Sequence, residues 1–294
     1  MIVPLAIVST QRMQMVQNLL EDKRDAWYAN YSWRPGKLFD TVNRALTIFV
    51  ANASKVFKTF STNYQKWNAD NRDVLIKDVA YVEVPRLRPA FWIPKCGDTT
   101  EKLLLTKCLK IPSKVSSFTG RTNHKIFYRT DGGLYWKVFS DFAPAFNVNG
   151  KKGHSTRETW FTLDKAEMTN PMIAILSSNT FWWWYTLTSN VRHLNPCDVQ
   201  NFPVPDSAIK DAKLAKLGAK YLEDIRRNST MLARNQKQTG RTETQSFKIQ
   251  KSKPIIDEID HVLQKHYDFT DEELDFIINY DIKYRMGRDA GDEE

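Results

Sequence analysis

The stretch Phe181–Pro205, FWWWYTLTSNVRHLNPCDVQNFPVP, decides how the rest of the chain is read. It opens with five consecutive aromatic residues, Phe181 to Tyr185. Each such ring buries about 150–250 Å² inside a protein, so five in a row leave no helix face for water. The run predicts a helix buried all round rather than an exposed platform for stacked bases. Its second half is polar, with Arg192, His193, Asn195 and Asp198, and Asn201-Phe202-Pro203 ends the element. The expectation is an apolar helix that emerges into a polar loop held at a fixed height.

Working outward, the 294 residues are 41% hydrophobic, enough for a sizeable core divided into two or three lobes. No apolar run reaches the roughly eighteen residues of a membrane span, and the first ten residues lack the pattern of a signal peptide. A soluble, cytoplasmic protein is predicted. Cys96, Cys108 and Cys197 form no CxxC pair, which argues against a disulfide framework and a zinc site. The net charge of +9 is unevenly spread: +3 over 1–85, +8 over 86–205, +7 over 206–253 and −9 over 254–294. A basic middle suits a polyanionic partner, because Lys and Arg neutralise phosphates with release of counterions. A merely solvated basic surface fits the charge equally well.

Along the chain, Ile2 to Val8 is an apolar run of strand length, predicted as a strand buried on both faces of a parallel sheet. Ser9 or Thr10 is the expected cap of a helix with Met13, Val16, Leu19 and Leu20 inward. Trp27 to Trp33 alternates and Ala45 to Ala51 is a second apolar run; together they read as the last third of an α/β sheet. A helix is expected over Thr99 to Leu109 with Leu103, Leu104 and Cys108 inward. Lys125 to Arg129 and Leu134 to Phe139 read as a hairpin around Asp131-Gly132-Gly133. Its alternating basic and aromatic side chains fit two readings: contact with phosphates and base edges, or a two-faced hairpin with aromatics inside and Lys/Arg in solvent. Lys151 to Arg157 is a candidate contact loop, and His154 has no sequence partner for metal binding or general-base work. A long amphipathic helix is expected from Asp206 to about Gln236, then a mobile polar loop over Gln238 to Lys253. Helices at Pro254, with Ile255, Ile256, Ile259, Val262 and Leu263 inward, and at the capping box Thr270 to Glu273, with Leu274, Ile277 and Ile278 inward, end the chain.

Three groups of motifs resemble one family. IVPLAIVST at Ile2–Thr10 and RPGKLFDTVNRALTIF at Arg34–Phe49 resemble the closing strands of the catalytic domain in large adenine-specific DNA methyltransferases of bacterial restriction–modification systems, of the type IIG-like kind. Asp40-Thr41 departs from the glycine usual there. Tyr64, Trp67 and Arg72 match a further segment of that family. The stretch from Tyr128 to Glu158, the Arg192–Asn195 and Asn201–Pro205 motifs, and the tail from Pro254 to Asp289 are similar to its target-recognition domain and C-terminus. The resemblance implies a remnant of a Rossmann-like α/β methyltransferase sheet over 1–85, an α+β DNA-binding domain over 86–205, and a helical connector and tail over 206–294.

It also implies double-stranded DNA as a partner. The expected contacts are Arg121, Lys125, Arg129, Lys137, Lys151, Lys152, His154, Arg157 and Arg192. Such an enzyme uses a glycine-rich turn for S-adenosylmethionine and an Asn-Pro-Pro-aromatic loop for the flipped adenine. This sequence contains neither: it has no GxG, and its Asn-Pro pairs continue as Asn170-Pro171-Met172 and Asn195-Pro196-Cys197. No catalytic, cofactor-binding or metal residue is assigned. S-adenosylmethionine belongs to the complete enzyme, whose catalytic half an upstream-encoded chain would supply, and the chain alone is expected to be inactive. A stand-alone DNA-binding specificity subunit and a non-functional gene fragment are the rivals.

Overall fold

The computed structural model of the chain describes residues 1–67, 75–77, 79–87, 92–131, 135–237 and 240–286. It is a mixed α/β structure with mixed sheets and several helices. The chain divides into two compact units: Met1–Thr106 with Trp184–Val191, and Lys107–Trp183 with Arg192–Glu294.

In the first unit the elements are β1 (Ile2–Pro4), α1 (Ala6–Ser9), α2 (Gln14–Glu21), β2 (Arg24–Tyr31), β3 (Leu46–Ala53), β4 (Thr59–Gln65), β5 (Val82–Glu83) and the start of α3 (Thr99–Leu109). The sheet order is β1-β3-β2-β4-β5; β2 and β4 are parallel and the other neighbours antiparallel. Aromatic and β-branched residues make β2 and β3 good strands, and β2 is buried on both faces near its end, at Ala29, Asn30 and Tyr31. Asn30 tolerates that burial because its amide is satisfied: it donates to Ser61 Oγ (3.0 Å) and accepts from Thr47 Oγ1 (3.0 Å). Tyr31, Leu38, Leu46 and Trp67 close the core over this end, with Trp67 edge-on to Tyr31 at 5.9 Å. Arg72 lies outside the described residues.

The run Ile2 to Val8 is not one buried strand. Only Ile2–Pro4 pairs, antiparallel to β3 at the sheet edge, and the chain then turns into α1, where Ile7 and Val8 are buried. Pro4 explains the difference, since it has no N–H for a ladder on both sides and is confined to an edge. Thr10 makes no cap bond. On α2 the buried residue is Gln17, whose amide donates to the Ile7 carbonyl (2.6 Å) and so sets the helix rotation. Val16 and Leu19 consequently face solvent. On α3, Leu104, Leu105 and Cys108 are buried and Leu103 points outward.

In the second unit the strands are β6 (Lys125–Arg129), β7 (Phe139–Ser140), β8 (Phe146–Val148), β9 (Lys151–Lys152), β10 (Glu158–Thr162), β11 (Ser229–Gln236) and β12 (Gly240–Phe247). The helices are α4 (Thr169–Ser177), α5 (Asn179–Thr188), α6 (Pro196–Gln200), α7 (Asp206–Ile209), α8 (Ala212–Arg227), α9 (Lys253–Tyr267), α10 (Asp271–Asn279) and α11 (Ile282–Arg285). Two antiparallel sheets form, ordered β10-β6-β7 and β11-β12-β8-β9. The partner expected for β6 at Leu134 to Phe139 is shorter and later, at Phe139–Ser140; Gly132, Gly133 and Leu134 lie outside the described residues.

The helix expected to reach Gln236 ends at Arg227, and the loop expected over 238–253 holds strand β12, paired along its length with β11, and then a short helical turn at Ile249–Ser252. Asp211 caps α8 by accepting from the Lys213 and Leu214 amides, and Leu214, Leu217, Tyr221, Leu222 and Ile225 form its buried stripe. At Gly218 any Cβ would overlap the Asn170 carbonyl, so glycine is what lets α8 lie directly against α4.

Helix α5 is buried all round, as the aromatic run predicts: Phe181 to Tyr185 are each at most 2% exposed. The chain passes from the second unit to the first between Trp183 and Trp184. At its N-terminus the Asp260 carboxylate accepts from the Asn179 and Thr180 amides (2.8 and 3.0 Å), the Asn179 side chain and the Thr180 hydroxyl. At its C-terminus the buried Lys95 ammonium donates to the Leu187 and Ser189 carbonyls (2.9 and 2.7 Å). An anion at the start and a cation at the end complement the helix dipole and satisfy its orphan backbone groups.

The Asn201–Pro205 motif is structural too. Phe202 meets Phe181 edge-on at 5.1 Å, Val115 donates to its carbonyl, and Tyr267 donates to the Pro203 carbonyl. The tail follows its predicted stripe, with Ile255, Ile256, Ile259, Val262 and Leu263 buried on α9 and the Thr270/Glu273 capping box opening α10. Leu274 and Ile277 are buried there and Ile278 half-buried.

Candidate nucleic-acid interface

Strands β6 and β10 pair Arg129 with Glu158, Phe127 with Trp160 and Lys125 with Thr162, so these six residues share one face. Ile126, Tyr128 and Phe161 share the other, where Tyr128 meets Phe139 at 5.7 Å. Burial holds the Tyr128 hydroxyl protonated, its pKa pushed up to about 12. The hydrophobic alternation of KIFYR and ETWFT thus gives one packed face and one open face. The open face is itself aromatic: Trp160 is 52% exposed, Phe127 lies 6.0 Å from it, and the Lys125 ammonium stands 4.8 Å over the indole. Desolvation raises the Glu158 carboxyl against the opposing pull of Arg129 and His154.

Several of the expected contact residues gather around this sheet. Arg121 is exposed in the turn that leads into β6, which Gly120 ties to the Thr162 carbonyl (3.1 Å). Lys125 begins the strand and Arg129 ends it. Beyond Arg129, Thr130 donates from its backbone to Arg157 (2.8 Å) and accepts from the Leu194 backbone (3.0 Å). The Arg157 guanidinium lies 3.7 Å, and the His193 ring 3.9 Å, from the Asp131 carboxylate. These bonds bring exposed Arg157, and the segment that carries exposed Arg192, to the Arg129 end of the sheet; exposed His154 lies three residues before Arg157.

Lys151 and Lys152 belong to the other sheet. Asn149 and Gly150 both have positive φ and form the two-residue turn between β8 and β9. The Asn149 side chain accepts from the Arg241 backbone (2.9 Å), tying that turn to β12. Exposed Arg234, Lys237 and Arg241 stand on the same β11–β12 ribbon. Lys137 is different. Its side chain is buried and its pKa is lowered to about 8 by desolvation, against the raising effect of Asp131 and Asp198, so it is not offered to a phosphate.

Trp160 and the ribbon cations are not among the contact residues expected from the sequence. Asn149-Gly150 was available as the strongest short hairpin signal. The Thr242–Thr244 alternation also marked β12, but with polar residues on both faces it gave no hydrophobic period.

Among the described residues no group of three or more His, Cys, Asp or Glu is arranged to hold a metal, and no helix is long and apolar enough to cross a membrane. No protein-family model matches the chain, and no curated protein matches it.

Proposed function

We propose that the chain recognises duplex DNA sequence-specifically as the C-terminal portion of an adenine-specific, S-adenosylmethionine-dependent DNA methyltransferase of a restriction–modification system. In this reading the sheet β1-β3-β2-β4-β5 is the closing part of a Rossmann-like catalytic domain, and the second unit holds the recognition surface. The observation that carries it is the open face of β10-β6-β7, where cations border exposed Trp160 and half-buried Phe127 in a unit that also displays Lys151, Lys152, Arg234 and Arg241. Cations fix such a protein on the phosphates, and side chains that reach base edges read sequence. The motif resemblance supplies the adenine methyltransferase part. Neither a glycine-rich turn nor an Asn-Pro-Pro-aromatic loop occurs in these 294 residues, so on this reading they supply recognition, and by themselves they are expected neither to bind the cofactor nor to transfer methyl.

Gel-shift titrations against one duplex at several salt concentrations test the electrostatic part. Affinity is expected to fall steeply with salt, with a log–log slope of about −0.9 per phosphate neutralised. Lys151→Ala/Lys152→Ala should weaken all duplexes alike and flatten that slope by up to about two units. An unchanged slope would remove β9 from the interface.

A further inference from the structure

The open face of β10-β6-β7 is built for more than phosphate contact. Trp160 sits mid-strand on β10, opposite Phe127, with half its surface in water. Its ring does not stack on Phe127: the planes are tilted by 47° and the centroids lie 6.0 Å apart, so the two form a shelf. Lys125 stands over the indole. Of the six outward residues of the two strands, Lys125 and Arg129 are cationic and Glu158 alone anionic. The two cations lie on the same face of one strand, about 13 Å apart. An aromatic shelf between cations is complementary to a ligand with a flat ring and regularly spaced negative charges.

We propose that Trp160, with Phe127 beside it, stacks an unpaired nucleobase of a DNA strand whose phosphates lie against Lys125 and Arg129. The proposal rests on the DNA-binding reading and adds a preference to it. Stacking needs a base with an open ring face, which a continuous duplex hides between neighbouring pairs. The base comes from a single strand or from a gap in a duplex.

The test is fluorescence anisotropy of the full chain with three labelled probes: an oligodeoxythymidylate, a duplex with a one-nucleotide gap, and the same duplex without it. Wild type, Trp160→Ala and Trp160→Phe are compared, with circular dichroism melting to establish that each variant is folded; the exposure of Trp160 makes Ala tolerable there. Trp160→Ala should weaken the single strand and the gapped duplex about 5- to 150-fold, the range for one lost stacked base. Trp160→Phe should keep most of the affinity, and the continuous duplex should change little. Equal single-strand affinities of wild type and Trp160→Ala, equal weakening by Phe and Ala, or no single-strand binding by the wild type would each overturn the proposal. Wild type that binds the single strand and the gapped duplex but not the continuous duplex would sink the duplex reading and leave this one standing.

Discussion

Asp260 shows how one side chain joins the acidic tail to the aromatic helix. Its carboxylate is fully buried and accepts from the Asn179 and Thr180 groups, while Arg285, held over Trp136 at 3.8 Å, donates to the Asn179 side chain (2.6 Å). Burial lowers the Arg285 pKa to about 10 and raises that of Asp260 to about 6, desolvation outweighing the hydrogen bonds made to the carboxylate. The sign follows. A carboxyl whose folded pKa lies above its ordinary 3.8 binds more protons folded than unfolded, so its contribution is full at low pH and is lost as pH rises through about 6. Chemical denaturation of wild type and Asp260→Asn at several pH values should show the wild-type advantage shrinking by up to about 3 kcal/mol from pH near 4 to neutrality. An advantage that grows with pH would mean that the hydrogen bonds outweigh desolvation. Lys137 makes a related point: the sequence offers it as one more cation in a basic stretch, and only its burial beside Asp131 and Asp198 withdraws it from the surface.

Elements differ in how openly their sequence declares them. Helix α5 was legible because five adjacent aromatics admit no exposed face, and the α9 and α10 stripes were legible because their apolar spacing matches the helical period. The β11–β12 ribbon was hidden because β11 is exposed from Thr230 to Asn235 and β12 is mostly polar. The rotation of α2 was hidden because a buried bond from Gln17 to the Ile7 carbonyl sets it, against the apolar spacing of the helix. The open face of β6 and β10 was half legible: alternation showed that a face existed, but pairing with β10, some thirty residues away in sequence, brought Trp160 onto it. The contact between α4 and α8 yields the prediction at this scale. Since a Cβ at Gly218 would meet the backbone of Asn170, Gly218→Ala should destabilise by about 1–3 kcal/mol, even though alanine favours helix. Thermal melting of the variant at or above the wild-type midpoint would show that the two helices have room to move apart.

At the scale of the whole molecule, charge and architecture divide the labour. Most of the +8 of residues 86–205 and all of the +7 of 206–253 belong to the second unit, whose two sheets carry Lys125, Arg129, Lys151, Lys152, Arg234 and Arg241, whereas the −9 of 254–294 belongs largely to α9, α10 and the residues after them. An acidic tail next to phosphates would repel them, so DNA is expected on the sheets and away from α9 and α10. Phosphate contacts alone bind every sequence alike, so the claim of specificity requires a measured preference among sequences. The direct measurement is selection from a randomised pool of duplexes by the full chain at moderate salt, followed by competition between the enriched duplex and a scrambled one. The account predicts a short common sequence, bound at least about 10³-fold more tightly than the scrambled duplex. A pool that stays random after selection, with both duplexes bound equally, would contradict it.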